Sequence, residues 1–465
     1  MAATGPRPDR AGGAALRRAI AELPLIVVGT ILLGTGADIL PTGQIVDAGP
    51  VELNLSRLLL IAGFAAFFYA EGLRPELLPI RLAIPVGLLL AAALATSIEW
   101  ETGARFRFLV EGIALFVLAC AVVRSARQRA VALTVVALAA VALSALTGIS
   151  QVTQDRATGF YRDGCRPVTA APPGIPPGTV TRARGTFENP NLLAAHVLLL
   201  APLAAAAAAA GAGRRRGDSG RGGAAAADPA ATGDAPSSLG EPAGGAQLAV
   251  AGGLVVGLAY LGLVLTYSRA GVLIAILGAG VAVAASRAPR RGYLAAVGVA
   301  VAIGASFLFA TCGSEGAAGF GRIEEWRETM GIVGDNPVLG VGLGRVGGEL
   351  RARDPRATTA HSHNLFLNWW AEAGPAALVA WLWLFGVLLW WSLRAALRGD
   401  ALARAALVAL LGFAGFSMVD HPANVDRIAL ALWCVAGIAA GLAPARRTTP
   451  APSPRTSPLR NPADA

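Results

Sequence analysis

The sequence predicts an all-α integral membrane protein with about 12 transmembrane helices and a long, partly helical extracytoplasmic loop. Three observations carry that reading. Hydrophobic residues make up 55% of the 465 and charged residues 15%, well to the apolar side of an average soluble domain, and mean hydropathy is +0.58. The apolar residues fall in runs long enough to cross a bilayer. Between two of these runs lies a segment of different character, 312–374, polar and rich in arginine and glycine yet carrying Ile, Trp, Met, Val and Leu. Long segments of this kind are usually functional or disordered, and the apolar content argues for function.

The chain opens with a polar arm, 1–22, carrying Arg7, Arg10, Arg17 and Arg18. An apolar run from Leu23 to about Ile39 follows, and no small-x-small cleavage site closes it, so it reads as a retained first helix. Runs at 57–71, 82–98, 108–123, 130–149 and 190–210 complete the first six helices of the block 23–210, with an outer loop at 150–188. The stretch 211–246, which includes RRRGDSGRGGAAAADPAATGDAPSSLGEPAGG, has a composition that cannot build a packed core and is expected to be a disordered cytoplasmic linker. Helices seven to nine are predicted at 247–268, 270–286 and 293–311, within the block 247–311. After the loop 312–374, runs at 375–393, 404–418 and 427–443 make the last three, within 375–445. The tail 446–465, rich in Pro, Thr, Arg and Ser, reads like the linker.

All 39 basic residues are arginine, in a chain also rich in Ala and Gly. No basic stripe with interleaved aromatics lies outside the apolar runs, so nucleic acid is not an expected partner. Positive residues are retained on the cytoplasmic side of a membrane. With both termini inside, the inner segments hold 23 arginines against ten acidic residues, and the outer segments 16 against nineteen. This orientation puts 150–188 and 312–374 outside. Four cysteines, none in a CxxC pair, make neither a disulfide scaffold nor a zinc site. Cys165 and Cys312 fall on the outer side and form a candidate disulfide, whereas Cys120 and Cys434 lie within helices.

Most outer arginines sit in the two long loops, on the side that charge bias disfavours. Binding an anion is one reason to keep them there, and pairing with nearby carboxylates as solvated surface is the bland alternative. In HSHNLFLNWWAEAG a polar start gives way to an apolar run, which puts His361, His363 and Asn364 at the membrane surface where a helix begins. A neutral imidazole there can accept a proton from a hydroxyl; a simple helix cap or interface residue is the competing reading. No metal is expected, since two positions apart on a helix the histidines face different ways and no third ligand lies nearby.

GRIEEWRETMGIVGD predicts a short amphipathic helix with Ile323, Trp326 and Met330 on one side, bordered by Arg322 and Arg327. NPVLGVGLG lacks the preceding strand and the spacing of a nucleotide fingerprint and reads as a tight turn returning chain to the membrane. In RARGTFENPNLLAAH, Asn189-Pro190-Asn191 is a helix-start signal, which leaves Arg182 and Arg184 unexplained. LTYSRAGVLIAILG sets Arg269 between two apolar runs at the outer boundary, where an arginine needs a partner or a headgroup phosphate.

In this order, GTFENPNLLAAH, TYSRAGVLIA, GRIEEW, NPVLGVGLG and HSHNLFLNWWAEAGPAA resemble the O-antigen ligase and Wzy-polymerase family of bacterial envelope glycosyltransferases. The family's His-Asn pair, followed after a short helical stretch by glycine, is matched by His363, Asn364 and Gly374; the Pro-Ala-Ala that follows fits the usual Gly-x-x ending more loosely. The resemblance covers about 182–395, and the first five helices only by topology.

It implies a GT-C-like protein of twelve helices that needs no cofactor and moves a glycan from polyprenyl (undecaprenyl) pyrophosphate to a hydroxyl of a lipid, glycan or protein acceptor. The work would be done outside the cytoplasmic membrane, among membrane lipids. At matching positions His363 is the general base, and Arg269 and Arg322, with Arg184 added, hold the pyrophosphate. His361, Asn364, Asn191, Arg327 and Arg182 complete the candidates. The chemistry agrees independently, because attack of a hydroxyl on an anomeric carbon bearing pyrophosphate needs proton removal at one end and charge stabilisation at the other.

Ligation and repeat-unit polymerisation are not separated by these residues. A transporter or flippase for a lipid-linked or anionic substrate is the reading from a different class. It expects charged groups near the bilayer midplane in broken helices, whereas here they gather at the outer face, with Glu111 and His196 as partial exceptions. An envelope scaffold is a third reading, against which the clustering of Arg and His weighs.

Overall fold

The structure, a computed structural model, describes residues 9–37, 46–48, 51–72, 78–163, 166–170, 175–221, 244–285, 320–355 and 359–443. The helices described are α1 (Asp9–Ala37), α2 (Leu55–Glu71), α3 (Ile80–Glu99), α4 (Gly103–Ser125), α5 (Arg127–Thr153), α6 (Pro190–Arg221), α7 (Gly244–Leu265), α8 (Arg269–Ala284), α9 (Phe320–Asp335), α10 (Val346–Arg353), α11 (Leu365–Leu397), α12 (Ala401–Ser417) and α13 (Asp426–Gly441). Every predicted apolar run coincides with a helix except 293–311, which lies outside the described residues. Among those residues, six helical stretches are long and apolar enough to cross a membrane: Gly13–Ala37, α3, α4, α5, Pro190–Ala209 and α11. The chain is an all-α, multi-pass membrane protein.

Several boundaries differ from expectation, each for a local reason. Helix α1 begins at Asp9, inside the predicted polar arm, because Ala and Arg at 14–19 are good helix formers. Helix α6 runs on to Arg221, into the predicted linker; 222–243 lie outside the described residues. The loop expected to end at 374 ends at Asn364, whose side-chain oxygen accepts from the N–H groups of Phe366 and Leu367 and so starts α11 ten residues early. The segment 150–188, predicted to be an outer loop, holds a small antiparallel sheet, order β4-β3-β5, of β3 (Phe160–Asp163), β4 (Arg166–Thr169) and β5 (Val180–Thr181). A two-stranded hairpin, β1 (Val46–Ala48) and β2 (Val51–Leu53), precedes α2. Cys165 and Cys312 lie outside the described residues, and Cys120 and Cys434 are buried free thiols.

The centre of the bundle is α13, buried from Arg427 to Gly441. Gly437 and Gly441 let it press on α4, where a side chain at 441 would run into Val123. His196 of α6 sits in this interior between Thr35 and Ser144, at 3.2 and 3.1 Å, which makes it a satisfied core histidine.

The ion pairs divide by end. Arg127 pairs with Asp400 at 2.6 Å and Arg129 with Glu22 at 3.0 Å, all on segments predicted to be inner. His361, His363, Asp420, Arg105 and Asp426 gather at the other end, on segments predicted to be outer.

Candidate active site

A break in α11 organises the site. Gly374 takes φ 76° and ψ 178° and Pro375 follows it. Proline has no N–H to offer the carbonyl four residues back, so the carbonyl of Ala371 is freed, and with the break at Gly374 so is that of Glu372. Both are claimed from outside the helix: Val341 N–H donates to Ala371 at 2.9 Å and Gly342 N–H to Glu372 at 3.0 Å. The Thr96 hydroxyl also donates to Glu372, and the Trp100 indole to Gly340. A side chain at Gly374 would collide with the carbonyl of Val338. The glycine-rich turn NPVLGVGLG therefore replaces the helical hydrogen bonds that the kink gives up.

The start of α11 presents the histidines. His363 stands one residue before the Asn364 cap with φ 49°, a left-handed conformation that a bulky side chain adopts at a cost of about 1 kcal/mol or more. Its own N–H donates to His361 Nδ1 at 3.1 Å. The Asn364 amide donates to the Met418 carbonyl at 3.1 Å and ties this corner to the end of α12. His361 and His363 thus precede the helix and touch, ring centroids 4.6 Å apart; the expectation that they face different ways on a helix is corrected.

Asp420, in the turn between α12 and α13, completes the arrangement. Its Oδ1 lies 3.3 Å from His363 Nδ1 and accepts from the His421 N–H at 2.8 Å, while Oδ2 accepts from the Asn191 amide at 3.0 Å. Asn191 is held in turn by the Asn189 cap that opens α6. With Nδ1–H donating to Asp420, the lone pair of His363 sits on Nε2, which lies 3.9 Å from Glu325 Oε2 on α9.

Burial by itself raises the Asp420 carboxyl, but the hydrogen bond and charge of His363 hold it at about 2. Burial, with the charge of His363, lowers His361 to about 4 and, with the charge of His361, lowers His421 well below its usual value. Burial raises Glu325. One donor atom each from His361, His363 and Asp420 lie within 4.8 Å of one another, close enough to hold a metal ion. The third ligand missing from the sequence reading is thus Asp420, although in this geometry Asp420 and His363 already satisfy each other.

The predicted arginines separate. Arg322 opens α9 close enough for its charge to act on Glu325 and His361. Arg269 opens α8 at the same end, where Gly271 lies against Ala194, one turn from Asn191. Arg327 pairs with Glu324 at 2.7 Å on the exposed side of α9. Arg182 donates to the Thr266 carbonyl at 2.9 Å, and burial lowers it to about 10. Arg184 donates to the Phe187 carbonyl at 3.2 Å, its backbone held by Gln151.

Residues 254–382 match the family model for O-Antigen ligase. The match supports the family resemblance carried by the motifs from TYSRAGVLIA to HSHNLFLNWWAEAGPAA, and GTFENPNLLAAH lies outside it. The matched segment runs from within α7 to the second half of α11, and so includes Arg269, Arg322, His361, His363, Asn364 and Gly374. Asp420 and Asn191 lie outside it. No curated protein matches the chain.

Sequence reasoning missed Asp420, His421 and Glu325. Asp420-His421 is a polar pair in a short turn between two apolar runs, and that was the available signal. Its link to His363 spans 57 positions and exists only in the fold.

Proposed function

We propose that the protein transfers a glycan from a polyprenyl pyrophosphate to an acceptor hydroxyl at the extracytoplasmic end of the bundle. The observation that carries this reading is the His363–Asp420 pair, with Arg322 beside it, at the head of an apolar groove. The groove, about 450 Å³, is lined by Trp326, Met330, Phe366, Trp370, Leu382 and Met418, with Asn364 at its rim. Ile323 and Met330 of α9 are exposed beside it. A polyprenyl chain lying there would bring its pyrophosphate to the arginines.

His363 Nε2 takes the proton of the acceptor hydroxyl, and the oxygen bonds to the anomeric carbon as the bond from that carbon to the pyrophosphate oxygen breaks. The configuration inverts, and the carrier leaves as polyprenyl pyrophosphate. Asp420 holds the ring and stabilises the imidazolium that forms. Arg322 and Arg269 bind the leaving pyrophosphate with planar, permanently charged forks. Asn191 orients Asp420, and Arg182 and Arg184 shape the loop over the site.

In a bacterial cytoplasmic membrane with both termini inside, the reaction draws on donor already on the outer face. An alkaline phosphatase fusion at 355–359 is then active. The function is tested by reconstituting the protein with a polyprenyl-pyrophosphate glycan and following release of polyprenyl pyrophosphate. Transfer to a separate lipid or protein acceptor marks a ligase, and growth of the carrier-bound chain marks a polymerase. Hydrolysis or translocation of the donor without a new glycosidic bond would refute both.

A further inference from the structure

Helix α11 shows two faces at this level. Phe366, Leu367 and Trp370 line the apolar groove, while Leu365, Asn368, Trp369 and Glu372 line a cavity on the opposite side, inside the bundle. That cavity, about 80 Å³, is closed by Trp381, Trp433 and His421. A second cavity of about 390 Å³ adjoins it, the two sharing Arg105, Phe108 and Asn424.

Two properties identify what the joined cavities accept. First, His421 Nδ1 and the indole nitrogens of Trp369 and Trp381 are buried with no hydrogen-bond partner among the described residues, and all three residues line the inner cavity. Trp381 is 2% exposed and His421 9%. Native interiors satisfy nearly all such groups, so three around one cavity point to an occupant rich in hydrogen-bonding groups. Second, the outer cavity mixes signs: Arg57, Arg105 and Arg427 stand with Glu111, Glu188 and Asp426. Three carboxylates disfavour a phosphate. Hydroxyl groups both donate and accept, and can meet guanidinium and carboxylate alike, while indole walls suit the C–H face of a pyranose.

The cavity also leads to the base. The His421 ring contacts His361 at 5.3 Å between centroids, and His361 contacts His363 at 4.6 Å. We propose that the joined cavities are a saccharide subsite that holds an uncharged glycan on the bundle side of His363 while the carrier lipid occupies the groove. This rests on the transfer reaction above. The glycan is that of the acceptor or of the donor.

The test uses the intact protein in detergent and tryptophan fluorescence, with methyl glycosides of glucose, galactose, mannose, rhamnose and N-acetylglucosamine as probes. Ala429, a buried residue of α13 on the cavity wall, is replaced by Phe to fill the space, and Asn424→Ala removes a shared polar wall without adding bulk. At least one glycoside is expected to quench saturably, with affinity weakened about tenfold or more in whichever variant keeps the wild-type melting temperature. No saturable quenching by any probe, or unchanged affinity in a folded variant, overturns the proposal. In the reconstituted assay, a raised KM for acceptor alone assigns the subsite to the acceptor, and a raised KM for donor alone to the donor glycan. Saturable binding in a protein that transfers nothing would keep the subsite and remove the reaction.

Discussion

Arg182 and Arg322 belong to the two long segments predicted to be outer, and the segments use arginine differently. Around Arg182 the guanidinium groups serve the backbone: Arg182 caps the Thr266 carbonyl, Arg184 the Phe187 carbonyl, and Arg427 the Thr186 carbonyl. Arg162 covers the Tyr267 ring at 3.9 Å. Around Arg322 the charge acts on side chains that can exchange protons, Glu325 and His361. The first set fixes a loop across α5 and α7, and the second shapes the field at His363. Position on the side that the charge bias predicts to be disfavoured thus singles out arginines for attention, but the neighbours decide whether each serves the backbone or the proton-exchanging side chains.

The sharpest way to break this division is at the carboxylate that joins the segments. Asp420→Asn keeps the size of the side chain but no longer demands Nδ1–H of His363, and transfer is expected to fall on the order of a hundredfold or more; rates within a few-fold of wild type would detach Asp420 from the chemistry. A smaller loss, roughly tenfold to a hundredfold, is expected for Arg322→Lys, which keeps the charge but loses the planar fork. Unchanged kinetics in a folded Arg322→Lys protein would place Arg322 with the structural set.

Arg182→Ala should show the opposite pattern, a lowered melting temperature with kcat changed only a few-fold, from loss of a half-buried charged hydrogen bond worth about 1.5–3 kcal/mol. A large fall in kcat without a change in melting would erase the distinction between the segments.

The smallest effect is on pH dependence. The fold keeps His361 neutral down to about 4, whereas an unperturbed histidine protonates near 6.5. The unfolded chain binds more protons in that window, so His361 lowers stability as pH drops from about 6.5 towards 4. Asp420, ionised down to about 2, contributes stability that is lost only as pH falls from the ordinary carboxylate range through about 2. Melting curves of His361→Asn should be flatter than wild type between about 6.5 and 4, and parallel curves would contradict the burial assigned to His361.

Much of the helical frame was legible in the sequence because apolar runs and caps are local. Asn189-Pro190 opens α6, Asn364 opens α11, and the pattern of Ile323, Trp326 and Met330 appears as α9. The site was half legible. His363 and Arg322 stand in motifs, but Asp420 acquires its meaning only where α12 ends against the start of α11. The role of NPVLGVGLG was hidden for a similar reason, since its partners are the carbonyls that Gly374 and Pro375 release. The sheet β3–β5 escaped because strands of two to four residues carry too little alternation to read.

The most direct measurement compares wild type with His363→Gln in proteoliposomes supplied with a polyprenyl-pyrophosphate glycan and acceptor, scoring new glycosidic bond per unit time at matched melting temperature. Glutamine keeps hydrogen bonding at the position and removes the base, so the variant should retain no more than about 1% of the wild-type rate. Transfer at the wild-type rate by a folded His363→Gln protein would contradict the account.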